Sequence, residues 1–135
     1  IYDCSNMEDY ILAFDSGTKS VKAIIFDANG RIMGEGHAPH SVFTPKPGYA
    51  EQDPEELWTA FCASVKQALA NSEAPLGKIA VIGVTHQRCT ICVVDENGNS
   101  LLPAQVWYDS EKLFYDAHSN YEDVLGYKKE LTVEV

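Results

Sequence analysis

Residues 10–36 read YILAFDSGTKSVKAIIFDANGRIMGEG, and the way this stretch divides decides the fold. Tyr10–Phe14 is a short continuous apolar run, the mark of a strand covered on both faces. Residues 20–27, SVKAIIFD, are again apolar and rich in isoleucine and valine, so they read as a second strand. The Asn29-Gly30 pair that follows suits a tight hairpin, in which both central residues take positive φ. Residues 31–38, RIMGEGHA, are then the third strand, and the three form an antiparallel meander.

The bend between the first two strands, Asp15-Ser16-Gly17-Thr18-Lys19-Ser20, holds more chemistry than a surface turn needs. Gly17 lets backbone approach a ligand closely. Successive amides with the Thr18 and Ser20 hydroxyls can face an anion. Asp15, at the strand end, can hold a magnesium ion through water. Together these make a phosphate clamp. It is not the Walker type, because that glycine-rich loop opens a helix and this bend leads straight into another strand. The competing reading of Asp15 is an ordinary Asx-type turn.

Working outward, residues 41–52 are too rich in proline to be regular. A helix starts after them, with Asp53 as cap, Pro54 at its first position and Glu56 at the capping-box position. Leu57, Phe61, Val65 and Leu69 recur every four residues, so the helix is expected to pack this stripe on the sheet, with Trp58 in the core beside it. Residues 78–85, KIAVIGVT, read as a buried strand reached by the helical crossover. Residues 90–111 repeat the earlier device of apolar strand, Asp-x-Asn-Gly turn and return segment. Cys89 and Cys92 lie three apart on that expected strand and so point to opposite faces, which favours buried or half-buried thiols over a metal or redox pair. His86 reads as a structural or supporting hydrogen bonder, and His37, His40 and His118 receive no role.

The chain has 135 residues, 45% of them apolar, enough for one modest core. Twenty acidic residues against ten basic give a formal charge of −10, and the bases are scattered. That balance argues against nucleic acid or an anionic membrane as partner, so a phosphate must be held locally. No apolar run reaches the length of a membrane span and no leader pattern precedes Met7, the expected start, so a cytoplasmic protein is expected. Residues 1–9 read as an N-terminal extension, 10–110 as the folded domain, and 111–135 as a segment without clear structure.

Four segments in order, AFDSGTKSVKAIIFDANGRIMGEG, TPKPGYAEQDPEELW, IGVTHQR and LLPAQVWYDS, resemble the N-terminal part of the FGGY family of carbohydrate kinases. The resemblance implies an α/β, ribonuclease H-like fold of the actin and hexokinase ATPase type, present as a partial domain. It also implies transfer of the γ-phosphoryl group of ATP, with Mg2+, to a hydroxyl of a small sugar or polyol. By position, the nucleotide side would comprise Asp15, Gly17, Thr18, Lys19, Ser20 and Lys22. The substrate side would comprise Gln87, Arg88, Trp107 and Asp109, with Arg88 bonding hydroxyls and Trp107 offering a flat face to C–H groups. Cys89 and Glu111 replace the acid and the arginine that the family pattern usually carries. The family's catalytic base lies further along than this chain reaches, so none is assigned here, and the isolated chain is expected to lack kinase turnover. The resemblance leaves room for self-association of the full-length protein. Two rival readings are a non-catalytic remnant and another ATPase of the actin-like superfamily.

Overall fold

In the computed structural model the structure is described for residues 9–74 and 76–109, so the expectations for residues 1–8 and 110–135 lie outside the described residues. The meander is present: β1 (Tyr10–Ser16), β2 (Ser20–Phe26) and β3 (Ile32–Pro39) pair antiparallel in the order of the sequence. After a two-residue strand, β4 (Glu51–Gln52), the helix α1 (Pro54–Ala70) crosses over the sheet. It delivers β5 (Ile79–His86), which lies parallel to β1, giving the order β3-β2-β1-β5. A further short strand, β6 (Ala104–Gln105), pairs antiparallel with β4. The mixed sheet and crossover helix give the α/β class read from the sequence. Among the described residues no helix is long and apolar enough to cross a membrane.

The helix begins where its cap predicts, with the Asp53 side chain accepting from the Glu55 amide at 2.9 Å and Pro54 at the first turn. Glu56, however, does not close a capping box. Its Oε1 accepts instead from the Ser41 amide and hydroxyl, at 3.1 and 3.0 Å, and so ties the incoming loop to the helix.

The buried stripe of α1 also differs from the expected one. Ala60, Ser64 and Ala68 are buried, while Leu57, Phe61, Val65 and Leu69 flank them half-exposed. The reason lies on β3. A Cβ at Gly36 would stand 1.9 Å from the Ser64 carbonyl oxygen, and one at Gly34 would stand 2.4 Å from that of Ala68. Helix and strand therefore touch backbone to backbone, and only small side chains fit the seam. Gln67 and Asn71 fasten the same contact, Gln67 accepting from the His37 amide at 2.7 Å and Asn71 donating to the Glu35 carbonyl at 2.9 Å. Val21, Ala23, Ile25 and Leu12 complete the core from the neighbouring strands. Trp58, expected inside, is 61% exposed and stacks on Phe61 with ring centroids 5.1 Å apart.

Four other expectations are corrected. At the β2–β3 turn Gly30 takes a positive φ of 78° and Asn29 does not, so only one left-handed position is used. Asp27 organises the turn, accepting from the Asn29 and Arg31 amides, and the bond from Arg31 leads in holding its carboxyl below the usual range. Asp95 repeats the device, with Asn99 the leading cause of a carboxyl that is likewise held low. The expected strand after Thr90 is reduced to isolated bridges, Ile91 with Gln105 and Val94 with Ser100. Just before it, Cys89 sits at φ 62°, outside extended backbone. Cys89 and Cys92 are exposed rather than buried. Finally, β5 is not covered: Val81, Ile82 and Val84 are 53%, 58% and 60% exposed. Among the described residues β5 is the sheet edge, and α1 packs mainly on β3 and β2, reaching β1 through Phe14 and Leu12.

Candidate active site

The parallel pair β1 and β5 ends with both carboxyl termini side by side, the Gln87 amide donating to the Ser16 carbonyl at 2.9 Å. Clefts outside the carboxyl ends of parallel strands are where α/β sheets bind ligands. One of about 370 Å³ opens there, lined by Asp15, Gly17, Thr18, His86, Gln87, Arg88 and Trp107. Asp15, Gly17 and Thr18 of the nucleotide-side residues and Gln87, Arg88 and Trp107 of the substrate-side residues thus share one concavity.

The bend itself is a compact turn, closed by the Gly17 amide donating to the Ser20 carbonyl at 3.0 Å. Its other carbonyls are held from behind. His40 Nε2 meets the Gly17 oxygen at 3.0 Å, Gln52 Nε2 donates to the Thr18 oxygen at 2.7 Å, and the His40 amide donates to the Lys19 oxygen at 3.1 Å. By contrast, the amide N–H groups of Thr18 and Lys19 and the carboxylate of Asp15 have no hydrogen-bond partner among the described residues. Asp15 is exposed at the end of β1, so the Asx-turn alternative does not describe it. An uncommitted carboxylate beside open backbone amides is a donor set suited to a hydrated divalent cation and the phosphates it bridges.

Across the cleft, the Trp107 indole Nε1–H donates to Thr18 Oγ1 at 3.0 Å, and the ring packs edge-on against Tyr108 with centroids 5.1 Å apart. The indole is 48% exposed, which leaves a face open to the cleft. Arg88 is exposed on the same rim.

The remaining residues stand elsewhere. Lys19, Ser20 and Lys22 do not line the cleft. Lys22 pairs in register with Asp15 and reaches Glu35, 3.6 Å away, in a half-exposed ion pair. Asp109 is 1% exposed and its Oδ2 accepts from the Ala50 amide at 2.8 Å, while the Val106 amide donates to the Ala50 carbonyl. Asp109 therefore pins the segment that presents Trp107 rather than facing the cleft. Two polar residues that the sequence reading left without a role, His40 and Gln52, are buried at 8% and 0% exposure beneath the bend. The only sequence signal for Gln52 is its place just before the Asp53 cap, a position that offers no reason by itself to expect a buried amide.

Comparison with known proteins agrees in kind. The profile of the FGGY family of carbohydrate kinases, N-terminal domain, matches residues 10–115. A glycerol kinase of Thermococcus gammatolerans is 45% identical over 101 residues, 75% of this chain and 20% of that protein. One of Rhizobium meliloti is 44% identical over 104 residues, 76% of this chain and 21% of that protein. The fold is similar to a solved xyloylose kinase from Brucella ovis, with a TM-score of 0.74 and 28% identity over 81% of this chain and 23% of that one. Plasmodium falciparum glycerol kinase, solved with ADP, matches with a TM-score of 0.67 and 30% identity over 76% of this chain and 21% of that one. The chain spans about a fifth of the length of the curated relatives it matches.

Proposed function

This chain belongs to the FGGY family of carbohydrate kinases, as an N-terminal domain, and from that premise we propose that it supplies the phosphate-binding bend and one wall of the acceptor site of an ATP-dependent sugar or polyol kinase. One observation carries the reading: the open Asp15 carboxylate and Thr18 stand at one cleft with Arg88 and the Trp107 indole, and the open amides of Thr18 and Lys19 follow one another in the same bend. Phosphoryl transfer depends mostly on positioning and charge neutralisation, and the two sides of this cleft provide for each.

In this reading the Thr18 and Lys19 amides and the Thr18 hydroxyl take the phosphate oxygens. Asp15 would hold the magnesium ion, which would supply neutralisation of the phosphate charge. Arg88 and Gln87 bond the acceptor hydroxyls, while Trp107 lies against its carbon skeleton and keeps water from that face. Lys22, paired with Glu35, contributes to the field at longer range. The proton of the attacking hydroxyl needs an acceptor that this chain does not assign. A cytoplasmic location and a small-molecule rather than nucleic-acid or membrane partner belong to the same reading.

Two assays test it. In a coupled ADP-release assay the chain alone is expected to show no substrate-dependent turnover. Substituted for the matching fifth of the Thermococcus gammatolerans glycerol kinase, residues 10–115 are expected to yield a chimera that phosphorylates a sugar or polyol. Glycerol is the first acceptor to try, because the relatives at 45% and 44% identity are glycerol kinases. A folded chimera that turns over none of a panel of polyols, pentuloses and hexoses would favour the non-catalytic remnant.

A further inference from the structure

We propose that His40 and Gln52 are positioning residues for the bend: by gripping its carbonyls from behind, they aim the Thr18 and Lys19 amide N–H groups at the bound anion. The argument is one of peptide geometry. No peptide bond in the described residues is cis. In a trans peptide the C=O of one residue and the N–H of the next point in opposite directions. The Gly17 carbonyl is held by His40 Nε2 at 3.0 Å, so the Thr18 N–H points away from His40. The Thr18 carbonyl is held by Gln52 Nε2 at 2.7 Å, so the Lys19 N–H points away from Gln52. Neither of these two amides has an acceptor among the described residues.

The hydrogen-bond pattern admits one consistent assignment. A carbonyl oxygen only accepts, so His40 carries its proton on Nε2 towards Gly17. Its Nδ1 is then an acceptor for Gln52 Nε2, 3.3 Å away. Gln52 Oε1 accepts from Gln87 Nε2 at 2.6 Å, which fixes the Gln52 amide with oxygen towards Gln87 and nitrogen towards Thr18 and His40. Gln87 precedes Arg88 on the substrate side. A single buried amide therefore joins the anion side of the cleft to its acceptor side, and its burial makes any lost partner costly. The inference rests on the anion-binding reading of the bend.

The test follows backbone amide resonances of the 15N-labelled chain during titration with inorganic pyrophosphate, for wild type, Gln52→Leu, Gln52→Glu and His40→Phe. Gln52→Glu can still accept from Gln87 but has no donor for the Thr18 carbonyl. The Thr18 and Lys19 resonances are expected to move in the unliganded state in all three variants, and their pyrophosphate affinity to weaken about tenfold. Amides of α1 should stay in place, and in Gln52→Glu the Gln87 side-chain amide should keep its wild-type position. Should Gln52→Leu not fold, the other two variants decide. Variants that keep wild-type Thr18 and Lys19 resonances and affinity overturn the proposal. A wild-type chain indifferent to pyrophosphate, whose Thr18 and Lys19 resonances nevertheless move in Gln52→Glu, refutes the anion reading and leaves the positioning role standing.

Discussion

Asp15→Asn in the chimera is expected to lower turnover about a hundredfold while leaving the KM for the acceptor within about threefold. The substitution keeps the size and hydrogen-bonding reach of the side chain and removes its charge. The charge has no other use in the described structure: Asp15 accepts from no neighbouring amide, stands exposed at the end of β1, and lines the cleft beside Gly17 and Thr18. Its loss should therefore leave the fold intact and fall on the step that needs phosphate charge neutralised. The proposed acceptor side, Arg88, Gln87 and Trp107, is untouched, which is why KM and turnover should separate. Steady-state kinetics of the purified chimera, with thermal melting as a check on folding, measure both. An unchanged turnover would mean that the carboxylate does not serve the phosphates.

The largest effect on stability is expected at a residue remote from the cleft. Gly36→Ala should destabilise the fold by about 3 kcal/mol or more, lowering Tm by on the order of 10–20 °C. The added methyl would sit 1.9 Å from the Ser64 carbonyl oxygen and 2.6 Å from the Ala68 amide nitrogen, both backbone atoms that cannot rotate aside. Relief requires α1 to lift off β3, and that movement exposes Val21, Ala23 and Ile25, each 0% exposed in the native packing. Gly30→Ala is the matched comparison. Nothing stands within 4 Å of a Cβ there, so its cost comes only from the positive φ of 78° and should be about 1 kcal/mol. Calorimetry of the two variants separates a clash from a backbone preference. Equal melting points would show that the helix is not seated as close as the seam implies.

The contrast between these glycines also explains what could be read in advance. Strand periodicity, the Asp53–Pro54 start and the Asn-Gly turns are local signals, and the meander and α1 follow from them. Which face of α1 is buried is not local. Leu57, Phe61, Val65 and Leu69 look like the packing stripe until Gly34 and Gly36, some thirty residues earlier, are seen to admit only Ala60, Ser64 and Ala68. The run IAVIGVT predicts burial from its composition, yet coverage depends on what packs over it, and among the described residues Val81, Ile82 and Val84 stay more than half exposed. The site divides in the same way. Asp15, Gly17 and Thr18 stand out in the sequence because chemistry and turn coincide in one hexapeptide, and Arg88 and Trp107 because four motifs occur in order; the structure brings these five residues to one cleft. Gln52 and His40 were not, because their roles exist only where residues 17, 40, 52 and 87 converge. Asp109 shows the converse, a motif acid whose carboxylate proves to hold Ala50.

The central claim is that the bend after β1 is an anion and metal cradle, distinct from the other acidic turns of this chain. Asp27 and Asp95 provide the internal comparison, since their carboxylates are already satisfied by their own turns. Paramagnetic broadening by Mn2+·ATP in spectra of the 15N-labelled chain measures the distinction directly, even where binding is weak. The account predicts that the amides of Gly17, Thr18, Lys19 and Gln87 lose intensity first, while those of Asn29, Gly30, Asn97 and Gly98 persist. Equal loss at all three turns, or a bend that keeps its intensity as the others fade, would contradict it.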